Sequence, residues 1–450
     1  MIKTIINAWK IPDLRKKIIY TLFILFLFRL GCAIPVPFIN ILAEGGGIVG
    51  NDSASFLGFL SLLNGEAFMY GRLFALGITP YINASIILQL LAVAIPALEK
   101  LSKDEDGRKK MATITRYVTV GLAVLQGVAY FIYIWSQGDM LTKDANGQAY
   151  TGGWVVLQGV FVVSALTAGS ALVMWLGEQI NDKGIGNGIS LILFAGIVSR
   201  IPSILTNLIV TAFEKEGWYY LVCALGLISL LLMLAYIVWM DNAERRIPVQ
   251  YAKRVVGRKM YGGQSSNIPI KVNMSGVLPV IFASSILSLP PTIEMFVRNK
   301  IDTTTASGKF WDTFFGWFQS DHWIYGLIYF LLIIFFAYFY ASIQYNPVEM
   351  ANNLSKNSGM IPGIRSGRPT ADYIAKVINK IVLLGALMLS VVALYPILFT
   401  QITTAAFGEG KGVSLSIGGT SIIILVGVAL ETVQQIESQM MMRHYKGFLD

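Results

Sequence analysis

Two histidines and two cysteines are all that 450 residues offer to a metal ion or to thiol chemistry. Cys32 and Cys223 stand far apart in apolar stretches and read as small buried hydrophobes, not as a disulfide or a ligand pair. His322 falls in an external loop and His444 in the C-terminal tail, so no metal cluster assembles. No nucleophile stands beside a base, and no phosphate loop is present. The run Gly184-Ile185-Gly186-Asn187-Gly188 follows no strand, which removes it as a nucleotide fingerprint; it reads as a tight turn leading into an apolar run. No enzymatic activity and no cofactor are expected. Charge is scarce as well, at 14% of residues. Candidates for an ionisable group that binds ions or substrate at mid-membrane are few: Arg29 in the first run, Glu178 at the end of the fourth and Glu431 late in the tenth, the last two near a cytoplasmic boundary. An ion-coupled solute transporter keeps several such groups at mid-membrane. Their scarcity argues against that class, which stays as the alternative, beside a receptor-like scaffold that binds a partner and passes nothing.

What the chain has in excess is apolar surface. With 55% hydrophobic residues and a mean hydropathy of +0.61, it cannot hide that surface in one soluble core. The expected fold is all-α, a polytopic membrane protein. Ten runs reach the length of about 20 residues that crosses the hydrocarbon: residues 18–38, 75–97, 112–136, 153–177, 188–211, 218–240, 274–297, 323–345, 376–400 and 417–439. The first is too long for a cleaved signal peptide, and no small-residue cleavage site follows it. If the N-terminus is cytoplasmic, 26 of the 35 Lys and Arg fall on the cytoplasmic side. The positive-inside rule therefore puts both termini in the cytoplasm.

Three features go beyond plain spanning. Residues 77–89 combine Pro80, the polar Asn83, Ser85 and Gln89, and a stripe of Ile78, Ile82 and Ile86 spaced by four. Polar groups at membrane depth need partners or water, and such a stripe suits either a closable pore or a bundle interior. Residues 40–72 are too long for a turn. Within them Phe56, Leu57, Phe59, Leu60, Leu62 and Leu63 make an apolar helix too short to cross, interrupted by Ser and Gly that weaken its hold on lipid. Finally, two loops carry more basic charge than topology requires. Residues 241–271 hold Arg245, Arg246, Lys253, Arg254, Arg258 and Lys259, with a short hairpin or ribbon expected around residues 249–256. Residues 345–376 hold Arg365 and Arg368 on a tip of Gly and Pro turns. Guanidinium groups on a stiff tip suit bidentate contact with carboxylate or phosphate.

Taken together, residues 77–89, the run from Met174 through Gly177-Glu178-Gln179-Ile180 to Ile189-Ser190, residues 264–282, Tyr345-Asn346-Pro347, the Arg365 loop and Gly418-Gly419-Thr420-Ser421 resemble the SecY family of protein-conducting channels. The resemblance runs the length of the chain, in order. It implies two pseudo-symmetric five-helix halves, residues 1–211 and 212–450, related as an inverted repeat around an hourglass pore. Its waist would be a ring of Ile78, Ile82, Ile189, Leu193, Ile281 and Ile424. A plug within residues 55–70 would include Phe56, Leu57, Phe59, Leu60 and Leu63. A lateral gate between the second and seventh spans would involve Asn83 and Leu289, with Gln89, Asn273, Ser284 and Ser285 as further polar candidates. The implied activity is passage of unfolded polypeptides across the bacterial plasma membrane and lateral release of hydrophobic segments. The implied partners are SecE, SecG, the ATPase SecA, the ribosome, signal-sequence-bearing polypeptides and membrane lipids. SecA and the ribosome would meet at Arg365, Arg368, Lys253, Arg254, Arg258 and Lys259. Ser366 stands where the family usually has Pro, and Ser266-Asn267 where Thr-His is frequent.

Overall fold

The computed structural model describes residues 2–39, 67–136, 141, 153–214, 219–251, 254–256, 259–261, 265–287, 290, 293–294, 306–318, 322–407 and 418–446. The expected plug residues Phe56, Leu57, Phe59, Leu60 and Leu63 lie outside these, as do Leu289, Lys253 and Arg258. Fifteen helices are described: α1 (Ile2–Lys10), α2 (Pro12–Gly31), α3 (Thr79–Ala94), α4 (Pro96–Lys103), α5 (Glu105–Ser136), α6 (Gly153–Lys183), α7 (Gly188–Val198), α8 (Ile201–Glu214), α9 (Tyr219–Asn242), α10 (Leu278–Leu287), α11 (Ala306–Gly316), α12 (Trp323–Gln344), α13 (Pro347–Lys356), α14 (Arg368–Phe407) and α15 (Gly419–Lys446). Five short strands accompany them: β1 (Glu244–Tyr251), β2 (Arg254–Val256), β3 (Lys259–Tyr261), β4 (Ser265–Lys271) and β5 (Gly359–Met360).

Seven helical segments among the described residues are long and apolar enough to cross a membrane. The other three expected spans coincide with α2, whose first turns carry Arg15, Lys16 and Lys17, and with the shorter apolar helices α3 and α10. Proline sets the limits of α3. Gly77 takes a left-handed φ of +52°, a conformation that costs glycine nothing, and Pro80 fits the first turn, where its missing N–H is not needed. At the far end Ile95 is forced extended by Pro96, so the apolar run read as 75–97 folds as a helix of 16 residues and a second, short one. The run 188–211 likewise divides into α7 and α8. Pro202 has no N–H for the carbonyl one turn before it, and the chain passes Ser199 and Arg200 in a turn closed by the Arg200 N–H donating to the Ile197 carbonyl at 3.1 Å.

The chain forms two compact units. The first comprises Met1–Cys223, Ser288–Ser320 and Ser414–Asp450. In it α5 and α6 pack side by side, α3 lies on α5, and α7 packs on both α6 and α15. One of its cores gathers Val36, Phe68, Ala75, Leu76, Tyr130, Ile134, Val162 and Leu166. The buried Tyr130 hydroxyl donates to the Phe68 carbonyl at 2.7 Å, and the two rings meet edge to face at 4.8 Å. The second unit comprises Ala224–Leu287 and Asp321–Val413. There α12 packs on α10 and α14, and α13 packs on α14.

The strands add to the helical fold a three-stranded sheet within the second unit, in the order β4-β1-β5. β1 pairs antiparallel with β4 from Glu244↔Lys271 to Gln250↔Ser265, and β5 joins the other edge of β1 at Gln250 and Tyr251. Its inner residues, Ile247, Val249 and Ile270, enter one core with Ala351, Leu354, Ile361, Ile374 and Ile378 of the second basic loop and its flanking helices. Residues 249–256, expected as a short hairpin or ribbon, instead divide between the end of β1, which pairs with β4, and β2, which pairs with β3 from Arg254↔Tyr261 to Val256↔Lys259.

Helix exposure suits hydrocarbon as the solvent. Only 28% of the most apolar stretch of α9 is buried, and Leu225, Ile228, Leu231 and Leu232 stand outward. In water such a face is an association surface; in lipid it is at rest, because each helix satisfies its own backbone.

Candidate channel-lining and partner-binding sites

Four of the proposed waist residues stand at or near helix starts that the backbone fixes tightly. Ile78 is the residue before α3, 1% exposed, and Ile82 follows one turn on. The preceding turn is tied down on several sides. The Ser170 hydroxyl donates to the Gly77 carbonyl at 3.2 Å, the Leu73 N–H donates to the Ile34 carbonyl at 2.9 Å, and Phe74 stacks on Phe28 with ring centroids 5.8 Å apart. A Cβ on Gly31 would run into that Phe74 ring, and one on Gly169 into the Leu73 carbonyl. Helices α2 and α6 thus approach the start of α3 only because glycine leaves room.

Ile189 and Leu193 lie on α7, which begins with the Gly-rich turn. Asn187 caps it, its side-chain oxygen accepting from the Ile189 and Ser190 N–H groups at 3.1 and 3.5 Å. Asn181, near the end of α6, accepts from the Gly188 N–H at 2.7 Å. Gly186 has a left-handed φ of +93°. The Thr21 hydroxyl of α2 accepts from the Ile185 N–H at 3.1 Å, so the α6–α7 hairpin is clamped to α2. Gly188 sits against the Gly177 carbonyl so closely that any side chain would collide with it. Ile424, 2% exposed, is on α15, which packs on α7. The structure therefore brings together the helices that carry Ile189, Leu193 and Ile424. Ile281 belongs to the other unit, half-buried on α10 beside the buried Phe282 and Ala283.

The polar gate candidates are engaged close to home. The Gln89 side chain donates to the Ser85 hydroxyl at 3.3 Å, and the Ser284 hydroxyl donates to the Ile281 carbonyl at 2.9 Å. The Asn273 Nδ2 donates to Asp241 Oδ1 at 2.7 Å, joining the approach to α10 to the end of α9. Asn83 is half-buried on α3.

The basic tip is built to hold its backbone still. Ile361 and Ile364 are anchored in the core beneath it, Gly363 and Gly367 take left-handed φ values of +82° and +100°, and the buried Thr370 hydroxyl donates to the Arg365 carbonyl at 2.8 Å. Arg365 and Arg368 are left exposed. Arg254 and Lys259 lie on β2 and β3.

One ion pair is not marked by any motif in the sequence. Arg116 Nε donates to Glu178 Oε1 at 2.8 Å, tying α5 to α6. The signal was present, since a carboxylate at the end of an apolar run needs a cation, but the choice of Arg116, 62 residues away, depends on how the two helices pack. Glu178 is thereby occupied and is not a free ion site.

These features define a multi-pass α-helical membrane protein with short aliphatic-lined helices and a stiff basic tip outside the bilayer. The family model named SecY matches residues 72–433. The "Protein translocase subunit SecY" of Streptomyces galbus is 44% identical over the full length of both chains. Among solved structures, one described as "The structure of a protein conducting channel" shares the fold with a TM-score of 0.58 at 17% identity, over 94% of this chain and 92% of that one. Sec61 in a canine ribosome–channel complex from the endoplasmic reticulum gives 0.54 at 16% identity, over 94% and 92%. The chain belongs to the SecY family, which is a family of channels and not of enzymes.

Proposed function

We propose that this chain is the central subunit of a protein-conducting channel, passing unfolded polypeptides across the bacterial plasma membrane and releasing hydrophobic segments sideways into the bilayer. The observation that carries this reading is full-length kinship to translocase subunits in a chain whose short helices α3 and α7 present aliphatic side chains from glycine-fixed starts. In it, Ile78, Ile82, Ile189, Leu193, Ile281 and Ile424 meet at the waist between two five-helix halves, residues 1–211 and 212–450. Branched aliphatics at a constriction leave water few hydrogen bonds, so the pore dewets and an ion meets a large desolvation barrier. The same ring yields around an extended chain. A plug within residues 55–70 closes the resting pore, and the gate for sideways exit runs between the second and seventh spans at Asn83 and Leu289. Both termini are cytoplasmic.

The partners are those of the family. SecE braces the two halves, and SecG sits at the periphery. SecA and the ribosome dock on the basic loops; for the ribosome as a partner, the ribosome-bound state of the canine Sec61 channel supports the reading.

The test is polar substitution at the waist. Ile82→Asn or Ile281→Asn introduces donors and acceptors that hold water, so each variant passes substrates with defective signal sequences and leaks small ions. The measurements are export in proteoliposomes and single-channel conductance. Wild-type selectivity together with wild-type conductance in both variants overturns the ring assignment.

A further inference from the structure

The first basic loop leaves α9 and returns to α10 through a hydrogen-bonded neck, all of it within the second unit. The β1–β4 ladder ends on the pair Glu244↔Lys271, and two further bonds continue it beyond the strands. The Val272 N–H donates to the Ala243 carbonyl at 2.8 Å, and the Asn273 Nδ2 donates to Asp241 Oδ1 at 2.7 Å. Asp241 is the last residue but one of α9, and Asn273 stands five residues before α10 begins. The carboxylate therefore ties the end of one apolar helix to the approach of the next. Turning toward it leaves the other end of the Asn273 amide unsatisfied, since Oδ1 is buried with no donor among the described residues. That state is unfavourable for an amide oxygen. The opposite flip would set the oxygen against the carboxylate, so the bond to Asp241 decides how Asn273 lies.

The segment around Asn273 is held on its other sides too. Gly385 of α14 sits so close to the Val272 carbonyl that a Cβ there would collide with it, and the buried Ser275 hydroxyl donates to the Ala337 carbonyl of α12 at 3.5 Å. Gly276 then takes a left-handed φ of +61°, with open space where a Cβ would be. The backbone turn alone calls for glycine there. One residue on, the Val277 carbonyl accepts from the Val280 and Ile281 N–H groups at 3.1 and 3.2 Å and opens α10. A chain pinned at 272, 273 and 275 and turned at 276 aims the helix that follows, with Ile281 in its first turn. Farther along, α10 rests on α12 through Phe282, whose ring meets Phe336 and Tyr340 edge to face at 5.6 and 6.4 Å. Ring contacts of that kind tolerate a small tilt, whereas a short hydrogen bond to a carboxylate is directional. We propose that Asp241 is a positioning residue for α10, holding through Asn273 the foot from which that helix is aimed and so setting how readily Ile281 leaves its closed place. What α10 does rests on the translocation reading above; how it is held rests on these contacts alone.

The test takes two readouts on the full chain purified with its co-isolating subunits. With Cys32 and Cys223 replaced by alanine, spin labels on Trp239→Cys and Ile286→Cys, both exposed positions, report the distance between α9 and α10 by pulsed electron resonance. Export of a substrate with a defective signal sequence into proteoliposomes reports the gate. Asp241→Ala is expected to broaden the distance distribution and to raise that export about tenfold, the equilibrium shift that one hydrogen bond to a charged group carries. The exchange Asp241→Asn/Asn273→Asp rebuilds the bond with donor and acceptor reversed and is expected to return both readouts toward wild type. If Asp241→Ala does not fold, Asn273→Leu removes the same bond and takes its place. A distribution that stays narrow without the bond overturns the proposal, and so does a change that the exchange does not rescue. Ile281→Asn, run alongside, separates the two readings: if it raises export and Asp241→Ala does not, the positioning role is wrong. If Ile281→Asn leaves export unchanged while the label distances respond to Asp241→Ala and to the exchange, the waist assignment is wrong and the hold on α10 stands.

Discussion

Gly188 has no room for a side chain, because the carbonyl of Gly177 occupies the place where a Cβ would sit. Its N–H is held by Asn181 and the helix it opens is capped by Asn187, so three residues fix where Ile189 and Leu193 begin. Gly188→Ala forces α6 and α7 apart and is expected to cost roughly 1–3 kcal/mol, the range for overpacking. Asn187→Ala removes only the cap and is expected to cost about 1 kcal/mol. Thermal unfolding in detergent checks both, and the order matters: a larger loss at Asn187 than at Gly188 contradicts the close approach of the two helices. At this scale the sequence is partly readable. A cluster of glycines beside Asn says that a tight turn precedes a helix, and the structure has that turn. It does not say that Thr21, 164 residues from Ile185, accepts the bond that pins the turn to α2, because such pairings exist only once helices have packed.

Helix limits illustrate what one-dimensional signals reach. Hydropathy marks the second span as 75–97, yet Gly77, Pro80 and Pro96 cut the helix to Thr79–Ala94. All three stand in the sequence, and their combined effect follows from backbone geometry alone. The β1–β4 ladder was less accessible. Its strands are separated by the β2–β3 pair, and its register depends on Ile247, Val249 and Ile270 reaching a core contributed by residues 351–378. That shared core is what stiffens the basic tip. Thr370→Val deletes the hydroxyl that holds the Arg365 carbonyl while keeping side-chain bulk, at a stability cost of about 1 kcal/mol. The arginine is retained but its backbone is freed, so SecA binding is expected to weaken several-fold without being lost. Binding affinity measured by titration decides it. Unchanged affinity means that the charge of Arg365 matters and its rigid presentation does not.

For the molecule as a whole, seven of the ten expected spans, each a described helix long and apolar enough to cross a membrane, are legible because hydrophobicity accumulates along the chain, whereas the pairing of Arg116 with Glu178 is not, because it depends on packing in three dimensions. The proposed division of labour is sharpest at Arg365. It is exposed, stands on a loop whose anchors Ile361 and Ile364 lie beneath it, and contributes to no core. Arg365→Glu is therefore expected to change folding stability by no more than about 0.5 kcal/mol. Reversing a charge that faces a complementary acidic or phosphate surface costs several kcal/mol of productive engagement, so partner-driven export is expected to collapse in the same variant. The comparison is the melting temperature of the solubilised complex against SecA-dependent export in proteoliposomes. Export at the wild-type rate reduces the loop to a topology signal, and a melting temperature that falls together with export makes Arg365 a structural residue. Separation of the two, with a stable channel that no longer answers its motor, is the outcome that the exposed arginine on a buried footing predicts.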